Sequence, residues 1–408
     1  MLHKFYTEKL KNNLEIIAIP MNKGTNVITV NIFYKVGSRN ETLGKTGIAH
    51  MLEHMNFKST KNLKEGEFDK IVKNLGGVDN ASTGFDYTHY FIKTSKEYLD
   101  KTLWLFSEVM ENLNLNDEEF QRERKVVYEE RLWRTDNNPL GYLYFRLFNN
   151  TYIYHPYHWT PIGFKDDILN WDIKDIKTFH DTYYQPKNAF ILVAGDITPN
   201  EVFKSATKHF SHIKNRKKIP TLHQTEPPLQ GDKEIVINYQ SEVDMVAIAY
   251  QIPNFKHEDQ IALSAYSEIL SGGQSAVLRD KLIRKKPLLS EVYAYNLELI
   301  DPGVFLVLGV CNPGANPDKV QKEIKNILLN TKISKTQLQK IQNQTRMDFI
   351  TQLESSANTS NIYGDYFAKG DIAPLFEYEE KINALTPQKI EDIKKYFTNS
   401  VCVKLIKK

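Results

Sequence analysis

Two histidines and a glutamate fall within five residues, His50, Glu53 and His54, in the stretch Gly47-Ile48-Ala49-His50-Met51-Leu52-Glu53-His54-Met55. On a helix, at about 100° per residue, His50 and His54 stand about 40° apart and Glu53 about 60° to the other side of His50, so the three side chains share one face. Two neutral imidazoles one turn apart can bind Zn²⁺. A carboxylate beside them is placed to take a proton from water held at the metal. The order H-x-x-E-H reverses the commoner H-E-x-x-H.

A zinc ion that does chemistry normally has three protein ligands and keeps a fourth position open, so a further donor must come from elsewhere in the chain. Residues 116–133 read as a long helix with Asn116 as N-cap and Glu119 at the capping-box position. Glu123 and Glu130 stand seven residues apart on it, nearly superposed two turns along one face with Val127. Taken alone, Glu123, Glu129 and Glu130 read as a solvated face paired with Arg122, Arg124 and Arg131. Beside His50 and His54, they are candidates for the missing donor.

On these residues the sequence resembles the pitrilysin/insulinase family of zinc peptidases, the inverted zincins, in the short two-domain form that includes mitochondrial processing peptidase and bacterial relatives. The family's H-x-x-E-H, followed about 76 residues later by a metal-binding Glu, falls on His50, Glu53, His54 and Glu130, and its supporting acidic residue falls on Glu123. Other family-like stretches are Val36-Gly37-Ser38-Arg39-Asn40-Glu41, Gly76-Gly77-Val78-Asp79-Asn80-Ala81-Ser82-Thr83 and Tyr184-Gln185-Pro186-Lys187-Asn188-Ala189. The resemblance implies Zn²⁺ held by His50, His54 and Glu130, Glu53 as general base, and Glu123 orienting a ligand. It also implies an extended substrate held against a strand edge by the backbone of Asn80 and Ala81. Asn80 fits a turn-forming residue after Gly76-Gly77 as well, and the two readings stand level.

The family's Arg, with a Tyr seven residues later, is followed less closely. An ungapped alignment of residues 278–288 puts Ile283 and Ser290 in those places, with Arg284 and Tyr293 nearby but out of register. Some relatives divide the metal and the Arg/Tyr pair between two chains. The expected assembly is therefore a homodimer or a heterodimer with a related subunit.

A chain of 408 residues exceeds one ordinary core and favours two domains. With 41% hydrophobic and 25% charged residues it has a soluble globular composition, and a net charge of +3 gives no reason to expect nucleic acid or an anionic membrane surface as partner. No run approaches the roughly 20 apolar residues of a membrane span. Residues 1–10 carry charges where a secretory signal needs an apolar core, so the expected location is cytoplasmic. Cys311 and Cys402 lie in apolar, strand-like runs and read as buried thiols in a reducing compartment.

Residues 14–19 and 27–36, separated by Pro20 and Gly24, read as a hairpin-like pair of strands, and residues 85–93 as a further strand in which His89 is structural. Residues 213–232, basic and then Pro-rich, read as a linker between a catalytic zinc-binding domain over 1–212 and a homologous domain without metal over 233–408. Residues 246–250 and 390–396 echo residues 28–32 and 173–179 at nearly constant offset, which argues for duplication. The copy of the histidine stretch, residues 260–270, holds no histidine. The expected fold is α+β: two homologous domains of about 200 residues, each a mainly antiparallel sheet flanked by helices, enclosing a substrate chamber.

The expected function is a zinc-dependent endopeptidase or oligopeptidase acting on peptides or unfolded polypeptides, with Glu53 activating the attacking water. The alternative is a non-catalytic peptide-binding or assembly subunit of a peptidase complex. A subunit of that kind is not expected to keep His50, Glu53, His54 and Glu130 together. A zinc hydrolase of non-peptide substrates is a third reading.

Overall fold

The computed structural model describes residues 2–408, which divide into two compact units. The first takes the chain up to Glu129 together with Trp159–His223 and Phe349–Leu375; the second takes Glu130–His158, Gln224–Asp348 and Phe376–Lys408. Both are discontinuous in sequence. The stretch 213–232 has no helix or strand, and the chain leaves the first unit within it, after His223.

In the first unit, strands β1 (Tyr6–Lys9), β2 (Glu15–Pro20), β3 (Val27–Tyr34), β4 (Val78–Thr83), β5 (Thr88–Ser95) and β6 (Ala189–Gly195) form one sheet in the order β1-β2-β6-β3-β5-β4. β2 and β6 run parallel and the other neighbours antiparallel. The expected hairpin of β2 with β3 does not form: β6 lies between them, pairing Glu15 with Phe190 on one side and Ile28 with Gly195 on the other. Every residue of β6 is buried, and so continuous an apolar run needs a strand on each side and a cover on each face. Residues 85–87 also stay outside the strand that was expected to begin there, in a turn that brings β5 back along β4. β4 is the edge, with Val78, Asn80 and Ser82 exposed and Asp79, Ala81 and Thr83 half-buried, the period-2 alternation of a strand with one covered face.

One face of this sheet packs against the helices Ile48–Met55, Glu67–Asn74, Leu99–Asn112, Ile173–Tyr183 and Pro199–Phe210. The other is covered by the helix Ser356–Lys369, from late in the chain, on Ile17, Ile19, Phe33, Phe190 and Leu192. Gly364 makes that contact. A Cβ there would lie 2.1 Å from the Phe33 ring, and the ring is itself stacked on His89 at 4.1 Å and Phe190 at 4.8 Å, so it has no room to retreat. Gly364→Ala is therefore expected to destabilise the protein by about 1–3 kcal/mol, overpacking outweighing the gain of up to ~1 kcal/mol in helix propensity. Denaturant titration checks this, and a variant as stable as the parent would contradict it. His89 is held neutral in this core: its Nε2 meets Asn31 Oδ1 at 2.9 Å, and burial pulls its pKa down to about 3.

In the second unit, β7 (Lys233–Tyr239), β8 (Met245–Gln251), β9 (Leu289–Leu297), β10 (Val304–Cys311) and β11 (Val401–Lys407) form a sheet in the order β7-β11-β8-β10-β9, with β7 and β11 parallel. Strand for strand this repeats β2-β6-β3-β5-β4. The molecule is thus an α+β protein of two homologous sheets, each flanked by helices. The aromatic stretch after Asn138 is a helix, Pro139–Thr151, started by the Asn138 side chain accepting from the Gly141 N–H, and it packs on β8 and β11. Cys311 and Cys402 are buried free thiols, and burial pushes both up to about 12. No helix of the described residues is long and apolar enough to cross a membrane.

Candidate metal centre

The helix Ile48–Met55 begins at Gly47, whose φ of 84° lies in the left-handed region and whose added Cβ would come within 2.7 Å of the Ile162 carbonyl oxygen. Glycine offers no capping side chain, and Glu41 takes that role from outside the helix. It accepts from the Gly47 and Ala49 N–H groups, both at 2.8 Å, and from the Trp159 indole at 2.7 Å. Burial pushes the Glu41 carboxyl up to about 8 against the pull of these donors. Ile48, Ala49, Met51, Leu52 and Met55 are buried, which leaves His50, Glu53 and His54 half-buried on the remaining face.

His50 Nε2 and His54 Nε2 stand 3.3 Å apart, and one ligand atom from each, with one from Glu130, lie within 4.8 Å of one another. Glu130 is carried on the last turn of the helix Asp117–Arg131, started by the Asn116 side chain accepting from the Glu119 N–H at 2.9 Å. Just beyond it, Arg134 Nε meets Glu130 Oε1 at 2.8 Å. Two turns earlier on the same helix, Glu123 Oε1 sits 2.8 Å from His54 Nδ1, and Glu123 Oε2 is 2.7 Å from Lys58 Nζ. Burial works to raise the Glu123 pKa, but the hydrogen bonds from His54 and Lys58 outweigh it and hold the carboxyl below its ordinary range. A carboxylate accepting at Nδ1 fixes the imidazole tautomer that presents the Nε2 lone pair to a metal. Two imidazole nitrogens and one carboxylate, with this support behind them, suit Zn²⁺.

Glu53 Oε2 accepts a hydrogen bond from Thr83 Oγ1 at 2.5 Å, from the end of the edge strand β4. On that strand Asn80 is exposed, its Oδ1 accepting from the Ala81 N–H at 2.9 Å, while Ala81 is half-buried against the core. Arg284 and Tyr293 lie in the second unit, each engaged by an acidic neighbour: Arg284 pairs with Asp280 at 3.0 Å, and Tyr293, on the edge strand β9, donates to Glu291 at 2.7 Å. Lys58 and Thr83 were not singled out from the sequence. Lys58 lies four residues after His54, in the turn that follows the helix end at Met55; Thr83 carries no signal beyond sharing the strand parity of Asp79 and Ala81.

Residues 16–155 match the family profile described as Insulinase (Peptidase family M16), and residues 170–345 match that of the Peptidase M16 inactive domain. The chain is 51% identical to the zinc protease PqqE of Helicobacter pylori, over 93% of this chain and 87% of that one. It is 24% identical to the mitochondrial-processing peptidase subunit beta of Rattus norvegicus, over 94% of this chain and 80% of that one. Among solved structures, a protease from Helicobacter pylori superposes with a TM-score of 0.97 at 48% identity, each chain covered completely. The second profile's description agrees with the duplicated helix Gln260–Ser271, which has no histidine. Together with the H-x-x-E-H helix, these matches make the chain a member of the insulinase family of zinc proteases, peptidase family M16.

Proposed function

We propose that the chain is a zinc-dependent endopeptidase or oligopeptidase, with His50, His54 and Glu130 as zinc ligands and Glu53 as the general base. The observation that carries this reading is the cluster of three ligand atoms within 4.8 Å with Glu53 on the same helical face. When bound, zinc supplies Lewis acidity toward the scissile carbonyl and lowers the pKa of water. Glu53 takes the proton from the attacking water and returns it to the leaving amine. Glu123, itself paired with Lys58, keeps His54 in its metal-binding tautomer. The open edge of β4, with Asn80 and Ala81, offers main-chain groups to an extended peptide.

The word subunit in the name of one relative, and the unfamiliar register of Arg284 and Tyr293, support a homodimer or a heterodimer with a related chain that completes the substrate contacts. The free thiols Cys311 and Cys402 support a reducing, cytoplasmic location. The same register, with the inactive-domain description of residues 170–345, supports the second reading, a non-catalytic peptide-binding or assembly subunit.

Incubating the purified chain with a quenched random-peptide library decides between them. Cleavage lost to a chelator and restored by stoichiometric zinc is the expected result. A protein that binds one zinc per chain yet cleaves nothing would move the assignment to the second reading.

A further inference from the structure

We propose that Thr83 orients Glu53, from the very strand along which the substrate is held; the inference rests on the peptidase reading given above. Glu53 projects, half-buried, from the face of the helix Ile48–Met55 that is turned away from the core, and a glutamate has three side-chain torsions to sample. A base must sit within hydrogen-bond reach of the proton it removes, and a displacement of about 1 Å can cost about 10²-fold in rate. The Thr83 hydroxyl, donating to Oε2, limits that freedom. Thr83 is fixed in turn. It is the last residue of β4, paired with Thr88 of β5, and the Thr88 hydroxyl is tied to the Val36 carbonyl at 2.9 Å.

The second unit also ties a helix to its edge strand, by a different bond and at a different point of the strand. Its helix Gln260–Ser271 is linked to its edge strand β9 through Ser271, whose hydroxyl accepts from the Ala294 N–H at 3.0 Å and donates to the Ala294 carbonyl at 3.1 Å. There a serine of the helix occupies main-chain groups of the edge strand. In the first unit the link runs instead between two side chains, a strand hydroxyl and a helix carboxylate, so the tether consumes no main-chain group of Thr83 and holds the carboxylate. Joining the base to β4 means that a peptide lying along β4 and the group that acts on it share one reference frame.

The test uses Thr83→Val, which keeps shape and strand propensity while removing the donor, and Thr83→Ser, which keeps the donor. The valine variant is expected to lose about 10–100-fold in kcat with KM, zinc content and thermal stability unchanged, and the serine variant to recover to within about threefold. Crystals of the metal-free valine variant should show the Glu53 carboxylate in more than one orientation. A single, parent-like Glu53 conformer, or a valine variant with parental kcat, would overturn the proposal. So would loss of zinc or stability in step with activity. If the parent chain cleaves no peptide at all, the peptidase reading falls, and the orientation of Glu53 in the valine crystals still decides the role of Thr83.

Discussion

Replacing Glu53 by glutamine is expected to reduce peptide hydrolysis by at least about 10³-fold while leaving one zinc per chain. The substitution conserves size and keeps an oxygen that accepts from Thr83, so the helix Ile48–Met55 and its contact with β4 persist. What disappears is the proton acceptor. A positioned general base contributes about 10² to 10⁴ in rate, and in the proposed mechanism one carboxylate serves both the attack and the departure of the amine, which places the expected loss toward the upper end of that range. Glu53 is not among the three groups that meet at the metal position, so zinc retention separates loss of the base from loss of the site. Turnover of a quenched peptide and elemental analysis of the same sample give both readings; a glutamine variant within tenfold of the parent would remove Glu53 from the mechanism.

His54→Ala is expected to abolish zinc binding and activity together. Its imidazole is the hinge of the site: Nε2 faces His50, and Nδ1 is held by Glu123. Alanine removes one of the three proposed ligands and also leaves the Glu123–Lys58 pair without the imidazole it holds. Zinc content should fall from about one per chain to below about a tenth after dialysis. Glu123→Gln provides the graded comparison. It leaves all three ligands and weakens only the support of one, so zinc should bind about 10–100-fold less tightly instead of being lost. Stoichiometric zinc in the alanine variant would rule out His54 as a ligand, and identical zinc affinity in the glutamine variant would reduce Glu123 to a surface ion pair.

These expectations rest on very different amounts of local information. The placement of His50, Glu53 and His54 on one face was legible from spacing, because a helix converts sequence separation into angle without reference to the rest of the chain. The start of the helix Asp117–Arg131 was equally local, since Asn116 caps it through a bond three residues long. The duplication was legible for a related reason: equal offsets between apolar strands survive even where the site residues of the copy are gone.

What spacing left open was decided by packing. Glu123 and Glu130 share a face of one helix, and nothing along that helix says which joins the two histidines in the three-residue cluster and which meets His54 Nδ1; that depends on how the helix lies against Ile48–Met55. Thr83 had no signal of its own, because a hydroxyl at a strand end becomes a partner for a carboxylate only once sheet and helix are assembled. Nor does amphipathicity name the surface a helix will cover. Pro139–Thr151 packs in the unit built mainly from the second half of the chain and Ser356–Lys369 in the unit built mainly from the first, and β6 enters between β2 and β3. By itself the sequence determined the residue types, their local geometry and the repeated strand pattern, since each is set by backbone periodicity. Only the tertiary structure decided which neighbour each of these groups meets, because contacts between residues distant in sequence are selected by burial and fit, which no single segment encodes.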